Sequence, residues 1–368
     1  MTRAATDYER RVSQALDATW QRTPPAGPDR RIDTRTSRLI LFSDQHKGAR
    51  NHADDFLRCE RTYNAALGWY YAEGFTLIGL GDVEELWEEN AGEVIRSYRH
   101  TLSLTARFLQ AGRYFRLWGN HDDLWRFEDK VASTLAPVLG PTLKVPESFR
   151  FDVYDGDVRL GEFFLVHGHQ GEAVSDRWSR WTRIPVRYLW RPIQRLFKVS
   201  LNTPATDWVL RQKHNIALYR WAAARQGIVL IAGHTHRPVF KSETRSEQLV
   251  RQVNEARARL AELPDDDARR EELARLEAEL EWSRAQDRER SGAEGVVLEP
   301  MKRPCYFNTG CCCYLDGDIT GLEIADGWIH LVRWPDDNGR PLPQRLASMR
   351  LVDLFIDNVP DDAGGRPT

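Results

Sequence analysis

Apolar and polar positions follow one another along this chain in blocks. Five apolar runs are short enough, and rich enough in branched and aromatic residues, to predict strands: Leu39-Ile40-Leu41-Phe42, Leu77-Ile78-Gly79-Leu80, Tyr114-Phe115-Arg116-Leu117-Trp118, Phe163-Phe164-Leu165-Val166 and Ile228-Val229-Leu230-Ile231-Ala232. Arg159-Leu160-Gly161-Glu162 opens the fourth of them. Mixed stretches at about 53 to 73, 91 to 111 and 123 to 137 predict helices, so strand and helix alternate in βαβ fashion. Residues 7 to 20 predict an amphipathic helix, and Thr23-Pro24-Pro25-Ala26-Gly27-Pro28 a linker that lays it on the domain as an arm. Towards the other end, the segments at Cys305 to Gly310, Ile319 to Ile324 and Trp328 to Trp334 predict further strands, with Asp316-Gly317 and Asp326-Gly327 as hairpin turns that finish the second of two sheets. After Pro335 the chain is polar and rich in Pro and Gly, which predicts a loosely ordered tail.

Two insertions interrupt this rhythm. The first, about 170 to 222, carries Trp178, Trp181, Trp190, Trp208 and Trp221 among arginines that include Arg177, Arg180, Arg183 and Arg187, opposed only by Glu172, Asp176 and Asp207. A basic, tryptophan-rich helical cap suits an anionic, partly apolar ligand or a membrane surface, and Arg177, Trp178 and Arg180 are its candidate substrate contacts. The plainer alternative is a helical layer with solvated arginines and core tryptophans. The second insertion, about 242 to 292, steps its apolar residues by four and three (Leu249, Val253, Ala256, Leu260, Leu263), turns at Pro264-Asp265-Asp266-Asp267, and resumes at Leu273, Leu276 and Leu280. That pattern predicts an antiparallel helical hairpin projecting from the body. Its narrow stripe zips the two arms together or offers an oligomer or partner contact.

The chain therefore divides into an N-terminal arm and linker (1–36), a core (37–240), the hairpin (241–293), closing strands (294–350) and a polar tail (351–368). At 368 residues and 41% hydrophobic content it can bury a large core in one elaborated domain or two. A formal charge of −2 argues against a general nucleic-acid binder. Met1 to Trp20 contain no apolar leader core, and no stretch approaches a membrane span, so a soluble cytoplasmic protein is the default expectation. Cys59, Cys305 and the run Cys311 to Cys313 make no paired framework and fit a reducing compartment. Neighbours in a strand face opposite sides, so the three cannot easily reach one ion and the run reads first as small buried apolar residues, with a redox or metal role as the alternative.

Candidate chemistry begins where each apolar run ends. Ser-Asp-Gln-His offers Asp44 and His46; Gly-Asp-Val-Glu-Glu offers Asp82 and Glu85; Gly-Asn-His-Asp offers Asn120 and His121; Val-His-Gly-His offers His167 and His169; Gly-His-Thr-His offers His234 and His236. Strand ends are where α/β sheets build sites. Two residues spaced by two in an extended segment project to one side, which makes Asp44/His46 and His234/His236 two-residue claws. Carboxylate, amide and imidazole donors without thiolate suit borderline divalent ions, manganese first, with iron or zinc as alternatives. Asp82, just after a strand, is the bridging candidate, and Asn120 adds an oxygen without charge. Two adjacent ions acidify a shared water and clamp the attacking and leaving oxygens at phosphorus, which points to phosphoester hydrolysis.

The five segments, in this order, resemble the signature of the calcineurin-like metallophosphoesterases over roughly residues 37 to 240 and the strands after 296. The resemblance implies an α/β fold, a four-layer α/β/β/α sandwich of two mixed sheets. It implies that Asp44, His46, Asp82 and His236 hold one ion, and that Asp82, Asn120, His167 and His234 hold the other. His167 is preferred over His169 because it ends the strand. His121 is implied to act as general acid, kept protonated by a carboxylate; Glu85 is the candidate and Asp122 the rival. His52, His100, His214 and His330 match nothing in the pattern. Gly81-Asp82-Val83-Glu84-Glu85-Leu86-Trp87, Val166-His167-Gly168 and the cap's position further resemble the bacterial UDP-2,3-diacylglucosamine pyrophosphatases of lipid A synthesis. His121 stands where that group has arginine, and the hairpin and N-terminal arm have no counterpart there. These features set the expected substrate as a phosphodiester or pyrophosphate, such as a UDP-lipid or nucleotide-type molecule, with peripheral contact at the inner face of the membrane through the cap. A nuclease or cyclic-nucleotide phosphodiesterase, a protein phosphatase and a non-catalytic scaffold are the alternatives.

Overall fold

The five apolar runs, broken by a charged residue only at Arg116, lack the alternation of a half-exposed strand because both faces of each strand are covered. The computed structural model describes residues 6–51, 54–172, 208–262, 266–291, 303–337 and 341–356. Its strands are β1 (Arg31–Asp33), β2 (Leu39–Phe42), β3 (Thr76–Leu80), β4 (Tyr114–Leu117), β5 (Ser148–Asp155), β6 (Val158–Val166), β7 (Ile228–Ala232), β8 (Val239–Phe240), β9 (Glu243–Thr244), β10 (Tyr306–Asn308), β11 (Ile319–Ala325), β12 (Trp328–Trp334) and β13 (Gln344–Arg350). They form a seven-stranded sheet, β1-β5-β6-β7-β10-β8-β9, and a six-stranded sheet, β13-β12-β11-β2-β3-β4. Both are mixed, since β2, β3 and β4 run parallel whereas β11 runs antiparallel to β2, and β6 runs parallel to β7 but antiparallel to β5.

Among the helices are α1 (Asp7–Arg22), α2 (Glu60–Ala72), α3 (Ala91–Ser97), α4 (Arg99–Gln110), α5 (Trp208–Ala223), α6 (Arg245–Glu262), α7 (Asp267–Ser291) and α8 (Leu351–Ile356). Alternate residues of each strand serve different cores. Leu39 and Leu41 of β2, Phe163 and Leu165 of β6, and Val229 and Ile231 of β7 meet between the sheets. Ile40 and Phe42 face α2 and α4 on one outside, with Tyr63, Leu67 and Phe108. Phe164, Val166, Leu230 and Ala232 face α1 and α5 on the other, with Val12, Leu16 and Trp221. The result is the α/β sandwich of two mixed sheets between helical layers that the sequence leads one to expect.

Several expectations are corrected. Residues 31 to 33 belong to a strand rather than a linker, because β1 adds in parallel to the edge of β5. The C-terminal strands do not all complete one sheet: β10 enters the seven-stranded sheet beside β7, and β11 to β13 form half of the other. The stretch after Pro335 supplies β13 and α8, and Leu351, Leu354 and Phe355 are buried between the sheets, so the domain does not end in a polar tail at 351. Residues 208 to 222 are not cap but the greater part of α5, a covering helix whose Trp221 packs on Phe164 with ring centres 5.4 Å apart. The plainer reading holds for that tryptophan. Arg177, Trp178 and Arg180 lie outside the described residues.

The expected hairpin forms, with Leu249, Val253 and Ala256 of α6 buried against Leu276 and Leu280 of α7. Exposed Arg257–Glu277 and Arg259–Glu272 ion pairs bridge the two antiparallel arms. Its base is tied to the body: Trp282 Nε1 donates to Asp316 at 2.8 Å, and the Arg333 guanidinium lies 4.0 Å from the Trp282 ring centre.

On β12, His330 Nδ1 lies 2.7 Å from Ser348 Oγ across the sheet. Burial, with the Arg345 charge nearby, pushes its pKa down to about 4. An unfolded chain takes up this proton near the ordinary value of about 6.5, so the neutral ring contributes stability that is complete above that pH and lost as pH falls towards 4. A His330→Gln variant is expected to show a shallower fall in Tm than the parent across this window; parallel curves would contradict it.

Candidate metal centre

The five candidate segments leave the sheets at one end and continue to pair beyond it. Asp44 N donates to Gly81 O at 3.2 Å, Gln45 N and His46 N both donate to Asp82 O at 2.9 and 3.0 Å, and Gly233 N donates to His167 O at 2.8 Å. Side chains then cross between loops: His121 N donates to Asp82 Oδ1 and His234 N to Asp44 Oδ2, each at 2.8 Å. Such closeness needs glycine at two points. A Cβ at Gly119 would run into Asp82 Oδ1, and one at Gly233 into Ser43 Oγ.

The two-residue claws do not arise from extended backbone. Nine non-glycine residues among those described have left-handed φ, and five of them are Asp44, His46, Asp82, His234 and His236, with φ from 50° to 69°. Each such residue costs about 1–3 kcal/mol, and it persists because the surrounding hydrogen bonds over-determine it. The left-handed turns, not strand alternation, swing both members of each pair inward.

Asp82 Oδ2 lies 3.0 Å from His167 Nε2 and 3.8 Å from His46 Nε2, between two pockets. On the His46 side, His236 Nε2 is 3.1 Å from His46 Nε2 and 3.2 Å from Asp44 Oδ1. On the His167 side, Asn120 Oδ1 is 3.1 Å from His167 Nε2. His167 Nδ1 is 2.8 Å from Leu80 O, an atom that can only accept, so Nδ1 carries the proton and a neutral ring would turn its Nε2 lone pair inward. Two groups of donors, Asp44/His46/His236 and Asp82/His167/His234, each fall within 4.8 Å of one another. His169 joins no such group among the described residues.

These residues fit a pair of cations. Asp44 Oδ1 and His234 Nε2 are buried without a well-formed hydrogen bond, facing His236 Nε2 at 3.2 Å and Glu172 Oε1 at 3.1 Å respectively, and a cation among these donors would satisfy them. Burial opposes ionisation of Asp44 and Asp82, yet the imidazoles beside them, His236 and His167 respectively, hold both carboxyls well below the usual range. Against burial, Asp82 raises His167 to about 9, while burial and the charge of His167 press His234 down to about 3, so a cation bound here would displace the Nε2 proton of His167.

His121 borders the His46 side, where its donor atom falls within 4.8 Å of those of His46 and Asp82. Its Nδ1 is 2.6 Å from Glu85 Oε2, and its ring stacks on Trp87 at 4.0 Å between centres. Its side chain is 19% exposed, against 0% to 12% for His46, His167, His234 and His236, so it is the imidazole most open to a ligand. Burial works against its protonation, but Glu85 and then Asp82 outweigh that and raise its pKa. Asp122 is turned away. It accepts from Gly119 N at 2.6 Å and Val83 N at 2.9 Å, and pairs with Arg116.

Arg116, on β4, pairs with Glu84 and Asp122, all three fully buried, and Trp125 Nε1 adds a hydrogen bond to Glu84 at 2.9 Å. This ionic group clamps the Asp82 loop to the His121 loop from below. Sequence gives little sign of it, since an arginine inside an apolar run reads as an exception.

Two further buried residues, Glu172 and His214, lie beside the His167 loop although the sequence motifs assign neither of them. Glu172 Oε1 lies 3.1 Å from His234 Nε2. His214, on α5, bonds through Nε2 to Gly168 O and through Nδ1 to the Tyr8 hydroxyl at 2.7 Å. An acidic residue closing the His167 loop was a usable signal for Glu172; nothing local links His214 to Tyr8 on α1.

Arg116→Met leaves Glu84 and Asp122 buried without their counter-charge, and is expected to cost about 3–5 kcal/mol in denaturant unfolding. A loss under about 1 kcal/mol, the level of an exposed pair, would remove the clamp's structural role.

No protein-family model and no curated protein matches the chain.

Proposed function

We propose that this protein is a metal-dependent phosphoester hydrolase of the calcineurin-like metallophosphoesterase type. The observation that carries the proposal is Asp82 Oδ2 between His46 Nε2 and His167 Nε2, at 3.8 and 3.0 Å, because a carboxylate shared by two imidazole-lined pockets makes a paired centre rather than two separate sites. Asp44, His46, Asp82 and His236 would hold one ion, and Asp82, Asn120, His167 and His234 the other; manganese is the first choice for both. Bound there, two divalent ions supply Lewis-acid polarisation of phosphoryl oxygens and an acidified water as nucleophile.

The rest of the chemistry belongs to side chains. Glu85 Oε2 accepts from His121 Nδ1–H, so the proton to be given to a leaving oxygen is the one on Nε2. Trp87, stacked on the ring, fixes its plane. Glu85 also lies 3.0 Å from His46 Nδ1, so one carboxylate orients both the proposed acid and a proposed ligand. Its own pKa is held down to about 2, burial being overcome by His121, so it stays an anion at neutral pH.

The substrate class we favour is a phosphodiester or pyrophosphate with recognisable flanking groups, such as a nucleotide-type or UDP-lipid molecule. Among the described residues no helix is long and apolar enough to cross a membrane.

Manganese-loaded protein is expected to hydrolyse bis-p-nitrophenyl phosphate and to lose that activity on chelation. Protein that binds no metal and hydrolyses nothing would make the fold a scaffold. Activity on single-stranded DNA that falls steeply with salt would instead select a nuclease.

His121→Ala is expected to keep both ions and to lose about 10²–10⁴-fold in turnover, most for poor leaving groups. Asp82→Ala is expected to abolish paired metal binding. Metal analysis of the two variants separates the roles: loss of metal in the first, or retained pairing in the second, contradicts the assignment.

A further inference from the structure

The cysteine run lies against the metal centre. Cys312 N donates to Asp44 O at 3.1 Å, and Thr320 holds both sides of Cys311, its Oγ1 accepting from Cys311 N at 3.2 Å and its N donating to Cys311 O at 3.0 Å. Pinned in this way, the run divides. Cys312 packs in the core beneath α2 together with Cys59, while Cys311 and Cys313 group with Tyr314 on the other side. Cys313 Sγ lies 3.7 Å from His236 Nδ1, and the donor atoms of Cys311, Cys313 and His236 all fall within 4.8 Å of one another.

We propose that Cys311, Cys313 and His236 form a distinct site for one thiophilic ion, zinc or cadmium, which takes the Nδ1 nitrogen of His236. Zinc bonds of about 2.3 Å to sulfur and about 2.0–2.1 Å to nitrogen make the sulfur–nitrogen edge of a tetrahedron about 3.6 Å long. The observed 3.7 Å matches that edge and is long for a good hydrogen bond. Donor chemistry separates this site from the paired centre: two thiolates select soft ions, whereas carboxylates, amide and imidazoles accept manganese. Binding releases both thiol protons and any proton on His236 Nδ1.

His236 links the two sites, since its Nε2 lies 3.2 Å from Asp44 Oδ1 and 3.1 Å from His46 Nε2. A thiophilic ion on Nδ1 therefore alters the ring that faces the proposed manganese pocket, and zinc or cadmium becomes an inhibitor acting beside that pocket rather than by replacing its ion. The inhibitory consequence rests on the hydrolase proposal; the site does not.

The test is a cadmium titration of the manganese-loaded full chain, following thiolate-to-cadmium ultraviolet absorption, manganese release and hydrolysis together. Absorption is expected to saturate at one cadmium per chain, to persist in Cys59→Ser, and to vanish in Cys311→Ser/Cys313→Ser, which also escapes inhibition. If circular dichroism shows the double variant unfolded, each single serine variant is expected to keep roughly half of the absorption, as one of the two thiolates remains. Absorption absent from the parent, or unchanged when Cys311 and Cys313 are replaced, overturns the site. If the protein hydrolyses nothing, the absorption still decides the site; if hydrolysis is intact and the absorption absent, this site alone is lost.

Discussion

Asp82 turns its two carboxylate oxygens in different directions, and much of the architecture follows from that. Oδ1 accepts the backbone N–H of His121, which fixes the loop after β4. Oδ2 faces His46 and His167, which come from different sheets. A residue with these obligations cannot sit in ordinary strand geometry, and its φ of 50° is the local cost of meeting them. The carbonyl oxygen of the same residue receives Gln45 and His46, so the first segment is tied to the second through this one peptide.

Concentrating this many ionisable groups requires support from charges that take no part in the centre. Arg116, Glu84 and Asp122 form that support, buried immediately below the loops. Glu84 and Glu85 are chain neighbours with opposite orientations, the first turned down to Arg116 and the second up to His46 and His121. A buried ion pair contributes little net stability compared with apolar packing, but it orders whatever it holds, and here it holds the two loops that present Asp82 and His121. On the opposite side, α1 reaches the same neighbourhood: Tyr8 meets His214, and Val12 packs so tightly on Gly171 that a Cβ there would lie 2.5 Å from its Cα. The N-terminal arm is thus part of the wall around the His167 loop.

Legibility in the sequence followed the range of each interaction. Strands β2, β3, β4, β6 and β7 are legible because burial of both faces demands continuous apolar runs. The hairpin is legible because its stripe repeats within single helices. Strand β1 is not, since three residues, Arg31 to Asp33, owe their conformation to parallel pairing with Asp152 to Tyr154. Helix α8 is apolar except for Asp353, but six residues set between polar stretches are too short for a periodic signal, and the gap they fill between the sheets accounts for the burial of Leu351, Leu354 and Phe355. Between Glu85 and Asp122 as partner to His121, local spacing was undecided; Arg116, which claims Asp122, comes from a position that spacing rules do not reach.

The sequence by itself determined the kinds of donor atom, their order and their attachment to strand ends, because these depend on residue type and local periodicity. Tertiary structure decided how the donors are aimed. Left-handed backbone at Asp44, His46, His234 and His236 turns the pairs inward. The Leu80 carbonyl, which can only accept a hydrogen bond, fixes which nitrogen of His167 points at Asp82. The meeting of Cys313 with His236 likewise exists only once β10 has entered the sheet beside β7. Each is a contact between segments far apart in the chain, and such contacts are set by packing and sheet order, which no local pattern records.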